Sequence, residues 1–370
     1  MQLFASCAPG LESLLCDELT RLGMQDVTPG FAGAFFTGLH ADLYRANLWL
    51  RTASRVQRIV FAGPAASGEQ LVEAVRAIAW ERWLGAERGI AIELHDARRS
   101  REASAQLVAR LAHAIAARLS PGARHHPAGM RIVIHVHRGM ATIGLDCSGK
   151  ALHKRGYHAT STHAAPLKET LAAALLLTAR YDGSEPLWDP MCGSGTIAIE
   201  AALIAVHKAP LIHRHKGEFA CEWHRDFDYR TWRAVGDAAR RERRVRPAFA
   251  IVGSDADAAS VCAAAAAAQR ARVRHHLRLY AARFATARAP APAGLLIANL
   301  PYGARLGTPH ELRELYRLVG ARIRGELGAW RFALLVPDGA LADELGIAAA
   351  SSVPLNNGAL DCRLLMSGPR

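Results

Sequence analysis

The sequence predicts an α/β protein in which a parallel-sheet domain follows two small α+β units. Three observations predict it. From about residue 166 onward, strand and helix patterns alternate as a parallel sheet requires. Before that, short alternating strands are mixed with amphipathic helices. The 370 residues, 51% of them apolar, hold enough material for two or three cores.

Taken in order, Leu11, Leu14, Leu15, Leu19 and Leu22 form one apolar stripe on a helix from Pro9 to Leu22. A strand near 32–37, a helix over 41–50 and a strand over 54–62 complete a first unit at 1–60. A second unit, 61–158, reads helix (71–79), strand (90–94), a basic turn HDARRSREAS, helix (106–119) and two alternating strands, MRIVIHVHRG and MATIGLDCSG. The third domain, 159–370, opens with a helix at 166–178. Its strands fall at 186–189, 248–253, 277–281, 294–298 and 330–336, and a closing pair at 347–353 and 360–366 suits an antiparallel ending. An insert at 207–247 is rich in Arg and aromatic residues.

Lys and Arg number 46 against 33 Asp and Glu, a net +13 with pI near 9.9, which points to an anionic partner, nucleic acid first. By segment the charge is −3 over 1–50, +9 over 51–158, −3 over 159–200, +9 over 201–290 and +1 over 291–370. GC-rich codon usage favours Arg and Ala, but it does not separate basic blocks from neutral ones. No apolar run is long enough for a transmembrane helix, and the first residues lack the cationic lead and apolar core of a signal peptide. The 7 cysteines are scattered without a CxxC pair, which fits reduced thiols and a cytoplasmic protein. Cys221 and His224 have ligand-like spacing, yet no third and fourth ligand declares itself, so no metal is expected.

Three segments carry chemistry. Trp188-Asp-Pro-Met-Cys-Gly-Ser-Gly-Thr196 joins an apolar strand to an apolar helix, where glycines let the backbone pass under a ligand and helix N–H groups face it. An ordinary tight turn explains such a loop too. Gly253-Ser-Asp-Ala-Asp257 ends the next strand, and a carboxylate there can accept both ribose hydroxyls. Asp255 lies 60 residues beyond Gly195 where a dinucleotide fold uses about 20, which disfavours NAD. Ala298-Asn-Leu-Pro-Tyr-Gly303 offers an amide oxygen, a backbone carbonyl and an aromatic ring, a set suited to a planar base bearing an exocyclic NH₂.

With APLKETLAAALL before them, DPMCGSGT, GSDAD and NLPYG resemble the class I S-adenosylmethionine-dependent amino-methyltransferases. The whole chain is similar to the THUMP-domain RNA methyltransferases, and within them to the guanine-N2 module acting on bacterial large-subunit ribosomal RNA. FASCAPGLESLLCDEL, LHKRGYH and NNGALDCRLL share that style. The resemblance implies a ferredoxin-like N-terminal unit, a THUMP RNA-binding domain and a Rossmann-like methyltransferase domain. It places Asp189, Cys192, Gly193, Gly195 and Thr196 around the methionine half of S-adenosylmethionine, Asp255 on its ribose, and Pro166, Lys168 and Glu169 on the helix closing the pocket. Asn299, Leu300, Pro301 and Tyr302 become the target-base site, with Asn299 Oδ1 and the Leu300 carbonyl accepting the two N–H bonds of a flipped guanine over Tyr302.

The sequence departs from the family twice. Leu300 stands where the commoner form has proline, and Arg283 where an aspartate usually reaches the adenine amino group. For RNA, the cations singled out are Arg98, Arg99, Arg101, Lys154 and Arg155, and the insert, with Trp223, His224, Arg225, Trp232, Arg240, Arg241, Arg243 and Arg244, is expected to form a second RNA surface near the catalytic face. The partner implied is 23S ribosomal RNA or a pre-ribosomal large-subunit particle, with no membrane. Two alternatives stay open: an N6-adenine-specific DNA methyltransferase, and an RNA-binding assembly protein whose methyltransferase domain is degenerate.

Overall fold

A computed structural model describes residues 1–85, 89–96, 100–119, 126, 129–158, 167–302, 308–358 and 360–368. The chain divides into two compact units, one of 1–7, 15–152 and 213–237, the other of 8–14, 153–212 and 238–370.

The first unit is built on β1 (Gln2–Ser6), α1 (Glu12–Arg21), β2 (Gln25–Gly30), β3 (Gly33–Thr37), α2 (His40–Trp49) and β4 (Arg55–Pro64). There follow α3 (Gly68–Ala77), β5 (Ile90–His95), α4 (Arg101–Ala116), β6 (Met130–His137) and β7 (Met140–Asp146). All seven strands form one sheet in the order β2-β3-β1-β4-β7-β6-β5. The first four have the βαββαβ course and the strand order of a ferredoxin-like fold. β4 pairs antiparallel with β7, so the sheet runs without a break across position 60, where the sequence suggests a boundary. β5 and β6 pair in parallel with α4 as the crossover. The β6–β7 hairpin turns on Arg138 and Gly139, whose φ angles of 49° and 78° are what a two-residue type I′ turn needs.

Residues 213–237 fold with this first unit, not with the third domain that the sequence assigns them to. Their aromatic residues do the packing. The Trp232 ring stands edge-on to Tyr44 at 5.3 Å and to Phe219 at 5.1 Å. Asp226 pairs with Arg58 at 2.6 Å, and the Tyr44 hydroxyl accepts from the Asp228 amide. The Cys221 amide donates to the Cys147 carbonyl, and the His224 ring lies 3.1 Å from the Asp146 carbonyl. The Trp223 indole donates to the Gly217 carbonyl at 3.1 Å, and its ring packs on the unit's core. Trp223, His224 and Trp232 are therefore structural here, correcting their reading as an RNA surface. Trp232→Ala is expected to destabilise the protein by about 3 kcal/mol, read as a lower urea midpoint, with the RNA affinity of the folded protein unchanged.

The second unit contains α5 (Glu169–Thr178), β8 (Leu187–Asp189) and α6 (Thr196–Ala205); α7 (Tyr229–Arg241) begins in the first unit and ends in the second. Then come β9 (Ile251–Asp255), α8 (Ala258–Arg270), β10 (Leu277–Ala281), β11 (Leu295–Asn299), α9 (Pro309–Arg324) and β12 (Arg331–Pro337). A short α10 (Ala340–Asp343), β13 (Ser351–Asn357) and β14 (Leu360–Met366) close the chain. The sheet order is β10-β9-β8-β11-β12-β14-β13, with only β14 antiparallel to β12 and β13. Strand order reverses between β8 and β11, and such a reversal opens a crevice at the carboxyl ends of the strands. α6 reads TIAIEAALIA, apolar on every side, and a helix of that kind is buried on every side. Its single charge, Glu200, is fully buried and must find partners inside.

Candidate active site

The carboxyl ends of β8, β9 and β11 bring the three sequence motifs together. Asp189 stands opposite Gly253 in the parallel register, and Trp188 opposite Leu296, three residues before Asn299. The Trp188 indole donates to Ser254 Oγ at 3.0 Å beneath the loops.

The loop after β8 is held by backbone contacts. The Cys192 amide donates to the Ser254 carbonyl at 3.0 Å and the Gly195 amide to the Cys192 carbonyl at 2.7 Å. Gly195 precedes α6 with φ of 80°, and a Cβ on it would sit 2.8 Å from Ala264 Cβ, so α6 and α8 approach only over glycine. Gly193 differs: among the described residues nothing lies within 4 Å of where its Cβ would be. Asp255 braces this loop, with Oδ2 accepting from the Gly193 amide at 2.8 Å and Oδ1 from the Asp257 amide at 3.0 Å. Asp257 in turn caps α8 through the amides of Ala259 and Ser260.

Asp189 is buried, and its Oδ1 accepts a long 3.4 Å bond from the Met191 amide. Burial, reinforced by the Asp255 carboxylate, pushes it up to about 8. Burial likewise raises the Cys192 thiol, with both aspartates adding to the effect, so this cysteine stays protonated and is no nucleophile. A carboxyl raised on folding binds a proton that the unfolded chain has released. Its stabilising contribution is complete below about 4 and is lost as pH rises through about 8. Asp189→Asn is expected to flatten the fall in stability between pH 6 and 8.5, measured as urea midpoints of the ligand-free protein. An unchanged slope would remove Asp189 as its source.

Asn299 ends β11. Its Oδ1 is buried and has no hydrogen-bond partner among the described residues, an arrangement that native proteins rarely leave unfilled. The Asn357 side-chain amide donates to the half-buried Tyr302 hydroxyl nearby. Leu300 is buried, its amide donating to the Leu335 carbonyl at 3.1 Å, and the Tyr316 hydroxyl donates to the Pro301 carbonyl at 3.3 Å. Anchored backbone on both sides of Leu300 replaces the rigidity that a proline would bring.

Some supporting residues are not legible as site residues in the sequence. Tyr157 donates to Glu200 Oε1 at 2.9 Å, and Arg155 meets the same oxygen at 3.5 Å, with both charged side chains fully buried. Arg155 is thus a core residue neutralising Glu200, which corrects its expectation as an RNA contact. His158 lies 3.0 Å from the hydroxyl of Thr196, the first residue of α6, and is held down at about 4 by burial and by Arg270. Glu169 is buried at the start of α5, and burial, with Glu200 beside it, pushes its carboxyl up to about 7. Arg283 is exposed. Behind it the buried Arg322 donates to the carbonyls of Phe284 and Ala287, fixing the loop after β10. The signal for Arg322 is faint, since it looks like any helix arginine until its burial is seen.

Arg98, Arg99 and Pro166 lie outside the described residues. Lys168, Arg101, Lys154, Arg241, Arg243 and Arg244 are exposed. Among the described residues no three His, Cys, Asp or Glu side chains gather as a metal site, and no helix is long and apolar enough to cross a membrane.

The family model described as "RMKL-like, methyltransferase domain" matches residues 155–366, and that of the "RlmL ferredoxin-like domain" matches residues 2–57. "Ribosomal RNA large subunit methyltransferase K/L" of Shewanella sediminis is 36% identical over 372 residues, with 98% of this chain and 52% of that protein aligned. The chain thus spans about half the length of the curated relatives it matches. The crystal structure of SMU.472 complexed with SAH superposes with a TM-score of 0.87 at 28% identity, covering 100% of this chain and 98% of that one. A "predicted N6-adenine-specific DNA methylase" from Listeria monocytogenes superposes with a TM-score of 0.88, also at 28% identity, over 99% and 96% of the two chains.

Proposed function

The chain belongs to the RMKL-like methyltransferase family, whose model spans more than half of its residues, and we propose that it methylates the exocyclic N2 of a guanosine in 23S ribosomal RNA with S-adenosylmethionine. The observation that carries this reading is the buried, unpartnered Asn299 Oδ1 on the strand next to the Asp189 loop.

The residues fit the cofactor. Among the described residues the space over the Gly193 backbone is open to a ligand, the Asp189 carboxyl, protonated below about 8, can hydrogen-bond the methionine half, the Asp255 carboxylate suits a ribose, and α6 presents its N-terminus. When bound, S-adenosylmethionine supplies an electrophilic methyl on a sulfonium. Asn299 Oδ1 and the Leu300 carbonyl accept the two N–H bonds of the amine and turn its lone pair toward that carbon. Orientation of this kind supplies roughly 7 to 11 kcal/mol in favourable cases. Tyr302, its hydroxyl tied to Asn357, offers a ring on which the flipped base stacks. The amine becomes acidic once methylated, so its proton leaves to solvent without a dedicated base.

In this reading residues 61–158 act as a THUMP domain on RNA, and Arg101, Lys154, Arg241, Arg243 and Arg244 meet phosphates, in the cytoplasm. The substrate is ribosomal RNA, free or in a large-subunit precursor. The Listeria neighbour's name favours one second reading, adenine N6 in DNA, since the same acceptor pair holds any exocyclic amine. Methyl-labelled S-adenosylmethionine incubated with large-subunit ribosomal RNA and, separately, with duplex DNA decides between them. Label in the RNA alone is expected; label in the DNA overturns the proposal.

A further inference from the structure

The catalytic unit carries a second cluster of cations at the other edge of its sheet. α6 and α8 each run from the carboxyl end of a strand back to the amino end, so their C-termini, and the residues that follow, lie away from Asn299. Lys208 follows α6, buried, and its ammonium donates to the Ala271 carbonyl just beyond α8 at 2.8 Å. The Arg244 amide donates to the Val206 carbonyl at 2.8 Å, which brings the end of the insert to the same place. His276 packs against His275 with ring centroids 3.8 Å apart, and among the described residues the buried His276 Nε2 has no hydrogen-bond partner.

These groups act on one another. Burial first, then Arg243 and Arg272, holds Lys208 down at about 8, while burial, then His275, Arg243 and Lys208, holds His276 down at about 4. Glu242, the carboxylate nearest in sequence, is turned to His207 at 3.8 Å. Among the described residues no salt bridge engages Arg243 or Arg272, and both are exposed. The negative ends of the α6 and α8 dipoles offset only part of this charge. A buried ring nitrogen without a partner among the described residues, set inside such a cluster, is a place that an anion completes when that nitrogen carries the ring proton.

We propose that Lys208, Arg243, Arg272 and His276 form an anion site at the edge of the sheet opposite Asn299, and that it holds a backbone phosphate of the RNA substrate. Lys208 fixes the geometry, His276 donates in the tautomer that carries its proton on Nε2, and the two arginines provide exposed charge. This rests on the reading of the protein as an RNA methyltransferase and extends it: the RNA contacts the catalytic unit on two edges of the sheet, one bearing the target base and one gripping the chain.

The test uses Arg243→Ala/Arg272→Ala, both exposed positions, with Arg243→Lys/Arg272→Lys as the charge-keeping control. Binding to 23S ribosomal RNA is measured across a salt series, and S-adenosylhomocysteine affinity is measured beside it. Expected for the alanine pair is about a tenfold loss of RNA affinity and a salt slope shallower by about 1, with cofactor affinity unchanged and the lysine pair near wild type. Wild-type affinity and slope in the alanine pair would overturn the site while leaving the methyltransferase reading standing. A wild-type protein that binds cofactor but shows no salt-dependent RNA affinity would overturn both.

Discussion

Asn299→Ala is expected to lower single-turnover methylation at least about 100-fold, the scale seen when one preorganised hydrogen-bonding group is removed from an active site. Cofactor affinity and the thermal midpoint should stay close to wild type. The asymmetry follows from the geometry. Among the described residues the Asn299 Oδ1 has no partner, so deleting it breaks no bond seen there and removes a buried polar group. The Tyr302 hydroxyl keeps its donor, Asn357. Asn299→Asp keeps an oxygen but loses the amide donor, and should fall between the two. Alanine turnover within about threefold of wild type would mean that the base is held elsewhere.

Asp255→Ala is expected to raise the dissociation constant for S-adenosylhomocysteine about 100-fold, measured by titration calorimetry. Both carboxylate oxygens are engaged: one fixes the Gly193 amide at 2.8 Å and one fixes the Asp257 amide at 3.0 Å. Hydrogen bonds to a charged group contribute about 1.5 to 3 kcal/mol each. Losing the first frees the glycine loop under the cofactor, and losing both the brace and the ribose acceptor accounts for roughly 3 kcal/mol. Asp255→Asn retains one acceptor and should lose only about tenfold. An alanine variant with unchanged affinity would show that the loop stands without its brace.

What the sequence could reveal follows the range of the forces involved. The β8 to α6 turn, the end of β11 and the antiparallel closing pair are local patterns of apolar run, glycine and turn, and the structure keeps them within a few residues. β2 is less legible, being an exposed edge strand with Pro29 inside it, a residue that breaks the usual strand pattern. Arg155 shows the opposite difficulty. Within HKRGYH it reads as one more surface cation, and its partner Glu200 lies 45 residues on. A signal was nonetheless present, because one Glu in an otherwise apolar helix must be answered by a buried donor. Trp232 and Tyr44 are separated by most of the first unit's sequence, so no local pattern reveals that residues 213–237 return to it. Charge blocks were equally ambiguous: their sum points to RNA, but which arginine faces solvent depends on tertiary packing.

The central claim is that the acceptor pair at the end of β11 presents a guanine amine to the cofactor. The most direct measurement is nucleoside mass spectrometry of 23S ribosomal RNA taken from cells lacking the protein and then treated with it and S-adenosylmethionine. A single added N2-methylguanosine is predicted. N6-methyladenosine in its place, or a profile unchanged by the treatment, would contradict the account.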